Sequence, residues 1–394
     1  MNINRPLALL GGLTPQAFMR RYWQRRPLLI RQAIPGFHPG LSIADIRALV
    51  RREEVESRLV WQDTAGWHMK HGPFARLPAM RRPGWTALAQ SVDLHDDATA
   101  ELMQRFRFIA DARLDDAMIS IASEGGGVGP HFDSYDVFLL QAEGRRRWRI
   151  GSQQDLDLVP GLPLKILRDF RPETEYVLEP GDMLYLPPHI AHEGVALDAC
   201  MTISVGFRAP TLAVLARGML EAAGDQIMAR AGGDGGLYGN PPLPGPDLGG
   251  RFRDAGTAAT TSPARLPDTL LRAACEAVQC VRLDEALAAR YLGMWLSEPP
   301  QAAYFEPPDE PVELEPARPA TGRLELDRCT RLLYRGSNMF INGELAPLPA
   351  SAVLRRLADE RRLPLTPARL RALGPERREM LNEWLSEGWL HYRD

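Results

Sequence analysis

Between residues 57 and 207 the chain is cut by Gly and Pro into short β-rich runs, and this limits its fold more than any other feature. The runs lie at 118–122, 137–141, 145–150, 175–178, 183–186 and 201–207, with one helical interruption expected over 85–94. Short strands at such spacing suit a barrel or sandwich of antiparallel strands, with side chains alternating between two faces. Two helices are expected before it. Thr14-Pro15 opens one that runs through Phe18, Tyr22 and Trp23 until Pro27 stops it, and Leu28-Leu29-Ile30 follows as a buried strand. Ser42, with Asp45 three residues on, opens a second whose apolar positions are Ile43, Ile46, Leu49 and Val50.

Within this β region lies Pro130-His131-Phe132-Asp133. On a strand, residues i and i+2 point the same way, so His131 and Asp133 present an imidazole and a carboxylate together, on a face that continues through Tyr135, Val137 and Leu139. A carboxylate in that register is costly to bury alone, and a metal is its natural counter-charge. Two His and one carboxylate leave open positions on Fe(II), the arrangement of non-haem iron oxygenases. The third ligand comes from Pro187-Pro188-His189-Ile190-Ala191-His192, a proline-bounded loop in which His189 and His192 compete. The distance along the chain from Asp133 to His192, 192 − 133 = 59 residues, is enough for several strands to carry it around a small barrel. Asp136 falls on the opposite face and is solvated or structural. The glycine-rich 125–129 segment lets backbone approach closely, and His38, His68, His71, His95 and His391 read as packing or surface residues.

One arginine stands out. In Arg145-Arg146-Arg147-Trp148-Arg149-Ile150, alternation puts Arg145, Arg147 and Arg149 on one face and Arg146 with Trp148 and Ile150 on the other. A guanidinium in the apolar register needs an anion, and a dicarboxylate cosubstrate gripped in two-pronged fashion supplies one.

After Arg208-Ala209-Pro210 the texture becomes helical. Leu212, Leu215, Met219 and Ile227 mark one helix, and Leu270, Ala274, Val278, Val281 and Leu287 a second, with a mobile Gly/Pro-rich loop expected over 232–263. Their apolar stripes call either for a partner subunit or for docking on the barrel. A Pro/Glu-rich linker follows over 306–319. Beyond it come an Asn342-Gly343 hairpin, helices opening at Ser351 and Thr366-Pro367, and a closing stripe of Leu381, Trp384, Leu385 and Trp389, a winged-helix-like pattern. Arg355, Arg356, Arg361 and Arg362 are diluted by Glu360, Glu376, Glu379 and Glu383, which favours a protein-binding or structural role over direct DNA binding.

A chain of 394 residues exceeds one ordinary core, so two or three domains are expected. Its net charge of −3 gives no global attraction to nucleic acid or anionic membrane. Cys200, Cys275, Cys280 and Cys329 have no metal-ligand spacing, with Cys275 and Cys280 read as helix packing, and no signal-peptide or membrane-spanning run occurs; a reducing cytoplasm is expected.

The segments 125–136, 144–150, 180–188 and 204–210, together with His192-Glu193-Gly194, resemble the JmjC-type ribosomal oxygenases, and the likeness extends over nearly the whole chain. His189 and Met201-Thr202-Ile203-Ser204 depart from that family's pattern, away from the implied ligands. The resemblance implies an α+β protein: a cupin-like double-stranded β-helix barrel over 1–210, a helical dimerisation region over 211–305, and a linker with a C-terminal winged helix over 306–394. It implies Fe(II) held by His131, Asp133 and His192, with 2-oxoglutarate and dioxygen as cosubstrates. It gives Arg146 the distal carboxylate of 2-oxoglutarate, and puts Tyr135, Ser204, Met118 and Ser120 along the pocket. The implied reaction is hydroxylation at the β-carbon of an arginine in the basic large-subunit ribosomal protein L-sixteen, by a homodimer. Asp111, Asp115, Asp116 and Glu124 are candidates to hold the arginine, by proximity to the glycine-rich approach. Within the same chemistry the alternatives are hydroxylation of a ribosomal histidine and lysine demethylation; outside it, a non-catalytic cupin scaffold that binds ribosomal proteins.

Overall fold

The computed structural model describes residues 2–246, 248–310, 312–314 and 322–393. Two compact units are present, one of residues 1–209 with 301–304, the other of 210–300 with 305–394.

The first unit opens with helix α1 (Pro15–Arg21), whose N-cap Thr14 side chain accepts from the Ala17 amide, as Thr-Pro predicts. It buries Phe18 completely, with Phe138 and Tyr185 ring centroids 5.5 and 5.0 Å away. Cutting Phe18 back to Ala removes this anchor at a cost of about 3–5 kcal/mol. Strand β1 (Leu28–Ile30) follows, then α2 (Ile43–Leu49), closed by a full capping box between Ser42 and Asp45. Strands β2 (Ser57–Asp63), β3 (Gly66–His71) and β4 (Trp85–Ala89) lead to α3 (Asp97–Gln104). Then come β5 (Leu114–Ala122), β6 (Val137–Glu143), β7 (Arg146–Gly151), β8 (Thr174–Leu178), β9 (Met183–Leu186), β10 (Ala191–Ala196) and β11 (Cys200–Phe207).

Among the described residues, eight of these strands form one sheet in the order β1-β9-β6-β11-β5-β4-β2-β3, and three form a second, β10-β7-β8. The pairings are antiparallel throughout. One face of the large sheet, with Ile119, Ile121, Phe138, Ile203 and Tyr185, packs on Phe18, Ile46 and Phe106 from the N-terminal and α3 segments. Its other face meets the small sheet, where Val137, Leu139, Leu184 and Leu186 enclose an apolar layer with Trp148, Ile150 and Leu178. The site occupies this second interlayer.

The helix expected over 85–94 is instead strand β4 followed by a single 3-10 turn, Val92–Leu94, and the helix begins only at Asp97. Every residue of β4 is buried and it pairs with both β2 and β5, so its run of apolar residues carries no period that distinguishes strand from helix. Asp136, read as solvated or structural, is structural: its side chain is sealed from solvent and accepts from the Tyr185 hydroxyl at 2.6 Å and from Gln24 Nε2 at 2.9 Å.

In the second unit α4 (Leu212–Arg230) packs on α6 (Glu285–Ser297) through Ala222, Ala223, Leu287 and Tyr291. The single helix expected around Leu270 to Leu287 is two, α5 (Asp268–Gln279) and α6, because Asp284 caps a new start by accepting from the Leu287 amide. None of the α5 residues is buried, and Cys275 and Cys280, expected to pack, are exposed. The 232–263 stretch forms no helix or strand among its described residues, but Arg290 Nη1 donates to the carbonyls of Asn240 and Pro241, and Gln226 Nε2 to that of Tyr238, tying its near half to the helices. Part of the expected 306–319 linker, residues 311 and 315–319, lies outside the described residues.

The C-terminal segment contributes β12 (Arg323–Leu326), β13 (Leu332–Arg335), β14 (Asn338–Ile341), β15 (Glu344–Leu345), α7 (Ala352–Glu360), β16 (Arg362–Pro364), α8 (Pro367–Ser386) and β17 (Leu390–Arg393). Asn342 and Gly343, at φ 48° and 92°, make the tight turn between β14 and β15. Ser351 and Thr366 cap α7 and α8 at the predicted positions. Leu354, Leu357, Leu381, Trp384 and Leu385 form the core of this winged-helix region. Among the described residues no helix is long and apolar enough to cross a membrane.

Candidate metal centre

His131 and His192 meet across an isolated antiparallel bridge and exchange both backbone hydrogen bonds, the His131 amide donating at 2.9 Å and the His192 amide at 2.8 Å. Residues directly opposite in such a pair point to one face, and the two rings lie 4.2 Å apart between centroids. Here the structure corrects the sequence in two ways. His192 stands on β10, hydrogen-bonded along β7, and not in a proline-bounded loop. His131-Phe132-Asp133 is not a regular strand but an extended segment that bends at Ser134 and Tyr135, so β6 starts only at Val137 and the alternation expected through Tyr135 is interrupted.

Each imidazole is oriented by a carbonyl two residues upstream. His131 Nδ1 is 2.9 Å from the Gly129 oxygen and His192 Nδ1 is 2.8 Å from that of Ile190. A carbonyl only accepts, so the geometry assigns the proton to Nδ1 and leaves the Nε2 lone pair free on both rings. Asp133 Oδ2 lies 3.7 Å from His192 Nε2, and one ligand atom from each of the three residues falls within 4.8 Å of the others. Burial, with the neighbouring His131, depresses the His192 pKa to about 4 against the opposing pull of Asp133, so the ring is neutral at pH 7 as a ligand requires. His189 stands outside the cluster: its amide donates to the Asp133 carbonyl at 2.7 Å and its ring stacks on Phe132 at 5.8 Å.

The glycine run is explained by backbone crowding. A Cβ on Gly126 would lie 2.2 Å from the Trp85 carbonyl oxygen, and one on Gly127 would lie 2.5 Å from that of Gly194. These glycines let the approach to His131 pass between β4 and β10.

Arg146 faces inward as alternation predicts, with Trp148 and Ile150 buried beside it and Arg147 and Arg149 turned outward to Glu175 and Glu193. Only 5% of Arg146 is exposed. Its Nη1 donates to Ser120 Oγ at 3.3 Å, whereas Nε and Nη2 have no partner among the described residues. A buried guanidinium with two unmade donors is an anion site. Ser204, also buried, pairs across the ladder with Met118, so Asp116, Met118, Ser120 and Ser204 share the inner face. Exposure grows along β5 from buried Ser120 to half-buried Met118 and Asp116. Tyr135, at the bend, is exposed at this open end.

The four acidic candidates separate clearly. Asp111 is held by Arg107, Asp115 by Arg208, and Glu124 is exposed. Asp116 lies on the inner face of β5, in line with Met118 and Ser120. The β11/β5 register slips there, with Val205 facing Ala117 and Phe207 facing Leu114, so that Asp115 and Asp116 together oppose Gly206. Asp116 Oδ2 accepts from Gln90 Nε2 at 2.6 Å and from the Ser91 amide at 3.1 Å. Burial and the nearby Asp115 raise the Asp116 pKa, while Ser91 and Gln90 oppose that rise. Sequence reasoning placed Trp148 beside Arg146 but missed Gln90, which lay hidden in the segment read as a helix.

Residues 101–215 match the JmjC domain family and residues 280–391 the ROXA-like winged helix family. The chain is 32% identical over 354 residues to the ribosomal protein uL16 3-hydroxylase of Escherichia coli K12, covering 86% of this chain and 87% of that one. An X-ray structure of E. coli YcfD superposes with a TM-score of 0.80 at 29% identity over 97% of this chain and 98% of that one. The E. coli ribosomal oxygenase YcfD in complex with cobalt and 2-oxoglutarate superposes with a TM-score of 0.78 at 30% identity, over 97% of this chain and 99% of that one.

Proposed function

The chain belongs to the JmjC-domain ribosomal oxygenases, and from that premise we propose that it hydroxylates the β-carbon of an arginine in ribosomal protein uL16, the L-sixteen protein of the large subunit. It is an Fe(II)- and 2-oxoglutarate-dependent ribosomal-protein hydroxylase. The residues present fit both groups. Two imidazoles oriented through Nδ1 and one carboxylate make a donor set for Fe(II), and the unpartnered Nε and Nη2 of Arg146 fit a carboxylate. Bound there, iron supplies the oxidative decarboxylation of 2-oxoglutarate by dioxygen to succinate and carbon dioxide, with one oxygen atom delivered to a substrate C–H.

In this reading His131, Asp133 and His192 hold the metal, and Arg146 grips the distal carboxylate of 2-oxoglutarate. Ser120 and Ser204 line the inner part of the pocket, with Met118 and Tyr135 toward its open end. Trp148, Ile150, Leu184 and Leu186 keep water from the interlayer. The two facing sheets correspond to the walls of a double-stranded β-helix barrel.

The observation that carries arginine as the target is Asp116. Its Oδ2 is engaged by Gln90 and Ser91, while its Oδ1 is 3.3 Å from the position of a Cβ on Gly206, a position 3.9 Å from Tyr135 Cε2. A carboxylate oxygen beside an aromatic ring at the open end of the pocket suits a guanidinium. The test is mass spectrometry of a uL16 peptide incubated with the protein, Fe(II), ascorbate and 2-oxoglutarate. One oxygen atom on arginine, with stoichiometric succinate, is the expected result. Oxygen on a histidine, or demethylation of a lysine, would refute the arginine assignment, and an intact protein without 2-oxoglutarate turnover would refute the enzyme.

The same reading assigns the chemistry to residues 1–210, dimerisation to 211–305 and a protein-contacting winged helix without direct DNA binding to 306–394. The exposed Leu270, Leu271 and Val278 of α5 support a homodimer. Cytoplasmic residence accords with a ribosomal-protein substrate.

A further inference from the structure

The carboxylate at the open end of the pocket is held by a relay of half-buried side chains that begins two strands away. Arg58 on β2 directs Nη2 to Gln90 Oε1 at 3.0 Å, and Gln90 Nε2 donates to Asp116 Oδ2 at 2.6 Å. An arginine side chain offers only donors and an ionised carboxylate only acceptors, so the amide between them can sit one way round. Ser91 completes the hold: at φ 49° and ψ 43° its backbone turns left-handed just after β4, directing its amide to the same Oδ2 at 3.1 Å and its hydroxyl at 3.4 Å. The turn is itself stapled to its neighbours. The Gln90 amide donates to the Glu56 carbonyl at 2.8 Å, and Asp93 Oδ1 accepts from the Ala117 amide at 2.8 Å, where β4 has already left the ladder.

The Gln90 side-chain amide and the Ser91 amide and hydroxyl converge on one oxygen of Asp116. Its Oδ1 takes none of these bonds and faces Gly206, where a Cβ would stand 3.3 Å from it. We propose that Gln90, oriented by Arg58, is a specificity-determining positioning residue that saturates Asp116 Oδ2 and so presents Oδ1 to the guanidinium of the substrate. This rests on the arginine reading of the pocket and deepens it. Gln90 touches neither substrate nor metal; it acts through Asp116. A freely rotating carboxylate accepts an ammonium, an imidazolium or a guanidinium from many directions, whereas one pinned on a single oxygen has a defined direction of approach. The pinning donors also oppose the rise that burial and the like charge of Asp115 impose on the Asp116 pKa. The same Arg58 Nη2 lies 3.9 Å from Met118 Sδ, so the arginine is held against the inner face of β5 as well as by Gln90.

The test compares steady-state kinetics of the full chain and its Gln90→Leu, Gln90→Glu, Arg58→Met and Asp116→Asn variants on the arginine peptide. Gln90→Leu removes one charge-assisted bond to the carboxylate, so KM for the peptide is expected to rise about ten- to a hundredfold, with KM for 2-oxoglutarate at its wild-type value. Gln90→Glu keeps the shape but lacks the donor and adds a like charge, so its peptide KM rises at least as far. Arg58→Met frees the amide to turn over, giving a smaller rise. In the Asp116→Asn background Gln90→Leu should add nothing further, because both changes act on one contact. If Asp116→Asn raises the peptide KM while Gln90→Leu and Gln90→Glu leave it unchanged, the inference is overturned and the arginine pocket stands. If Asp116→Asn itself leaves that KM unchanged, the pocket assignment fails first. Equal losses for peptide and 2-oxoglutarate in the Gln90 and Arg58 variants would reveal general damage to the sheet and would also overturn it.

Discussion

Replacing Arg146 should move two observables in opposite directions. The guanidinium is 5% exposed, with Nη1 on Ser120 and with Nε and Nη2 lacking partners among the described residues. Two charge-assisted bonds to a carboxylate at about 1.5–3 kcal/mol each give about 3–6 kcal/mol of 2-oxoglutarate binding. Arg146→Met should therefore raise KM for 2-oxoglutarate by about 10²- to 10⁴-fold, at roughly 1.4 kcal/mol per decade. Arg146→Lys keeps a point charge but loses the fork, and one lost bond corresponds to a rise of about ten- to a hundredfold. Without ligand the sign reverses. A buried donor left unmade costs about 1–3 kcal/mol, so the Met variant should unfold at a higher temperature than the wild type when neither carries 2-oxoglutarate. Adding 2-oxoglutarate at a hundred times the wild-type Kd should then stabilise the wild type by about 2.7 kcal/mol and the variant hardly at all. The assays are succinate release against 2-oxoglutarate concentration and thermal unfolding with and without it. A Met variant with KM within twofold of wild type, or one markedly less stable without ligand, would refute the reasoning.

Two further substitutions test the surroundings. Burial, with Asp116 adding to it, raises the Asp93 pKa from an ordinary 3.8 to about 7, so the folded protein keeps a proton that the unfolded chain has lost. That favourable contribution is complete below about pH 3.8 and disappears as pH climbs through 7, each tenfold difference in proton affinity between the folded and unfolded chain being worth about 1.4 kcal/mol. Asp93→Asn retains an acceptor for the Ala117 amide but cannot ionise, so its advantage in urea midpoint over wild type should grow from pH 5 to pH 8.5; a constant difference would show that Asp93 does not titrate there. Gly194→Ala puts a Cβ 2.7 Å from Trp148 ring atoms, and the overpacking should cost about 1–3 kcal/mol. Because Trp148 lies 5.8 Å from the Arg146 guanidinium and 5.9 Å from the His192 ring, this variant should also change Trp fluorescence and weaken 2-oxoglutarate binding; wild-type values of both would disconnect Trp148 from the site.

The candidate metal cluster was legible because two histidines and an aspartate, residue types with open-site chemistry, occur in a β-rich context, but the contact that unites them was not. Strand alternation correctly paired His131 with Asp133, yet the segment is held by a cross-sheet bridge to His192 rather than by a strand of its own. That bridge joins residues far apart in sequence, and no local pattern announces it. Arg146 was legible for a purely local reason, its place in the apolar register of β7. The misread β4 had a specific cost: treating Trp85 to Leu94 as a helix hid the turn at Gln90 and Ser91 that now stands behind Asp116. A fully buried central strand and a buried helix segment are both continuous apolar runs, and only their neighbours distinguish them.

In the proposed reading, the inner face of β5 lets one short strand serve two substrates of opposite charge. Asp116, Met118 and Ser120 occupy alternate positions at about 6.7 Å intervals, so that an acidic group at the open end and the Arg146-linked hydroxyl further in are separated by about 13 Å along the strand. A cationic side chain and a dicarboxylate can thus enter one pocket without either meeting the other's anchor. A larger residue opposite Asp116 would spoil this, because its side chain would crowd Oδ1. The register that pairs Val205 with Ala117 places Gly206 there, and the slip follows it. In the proposed reading that glycine belongs to the site as much as the charged residues do: it leaves a half-buried acid in a sheet an open coordination direction, and Gln90 determines which of its oxygens takes that direction.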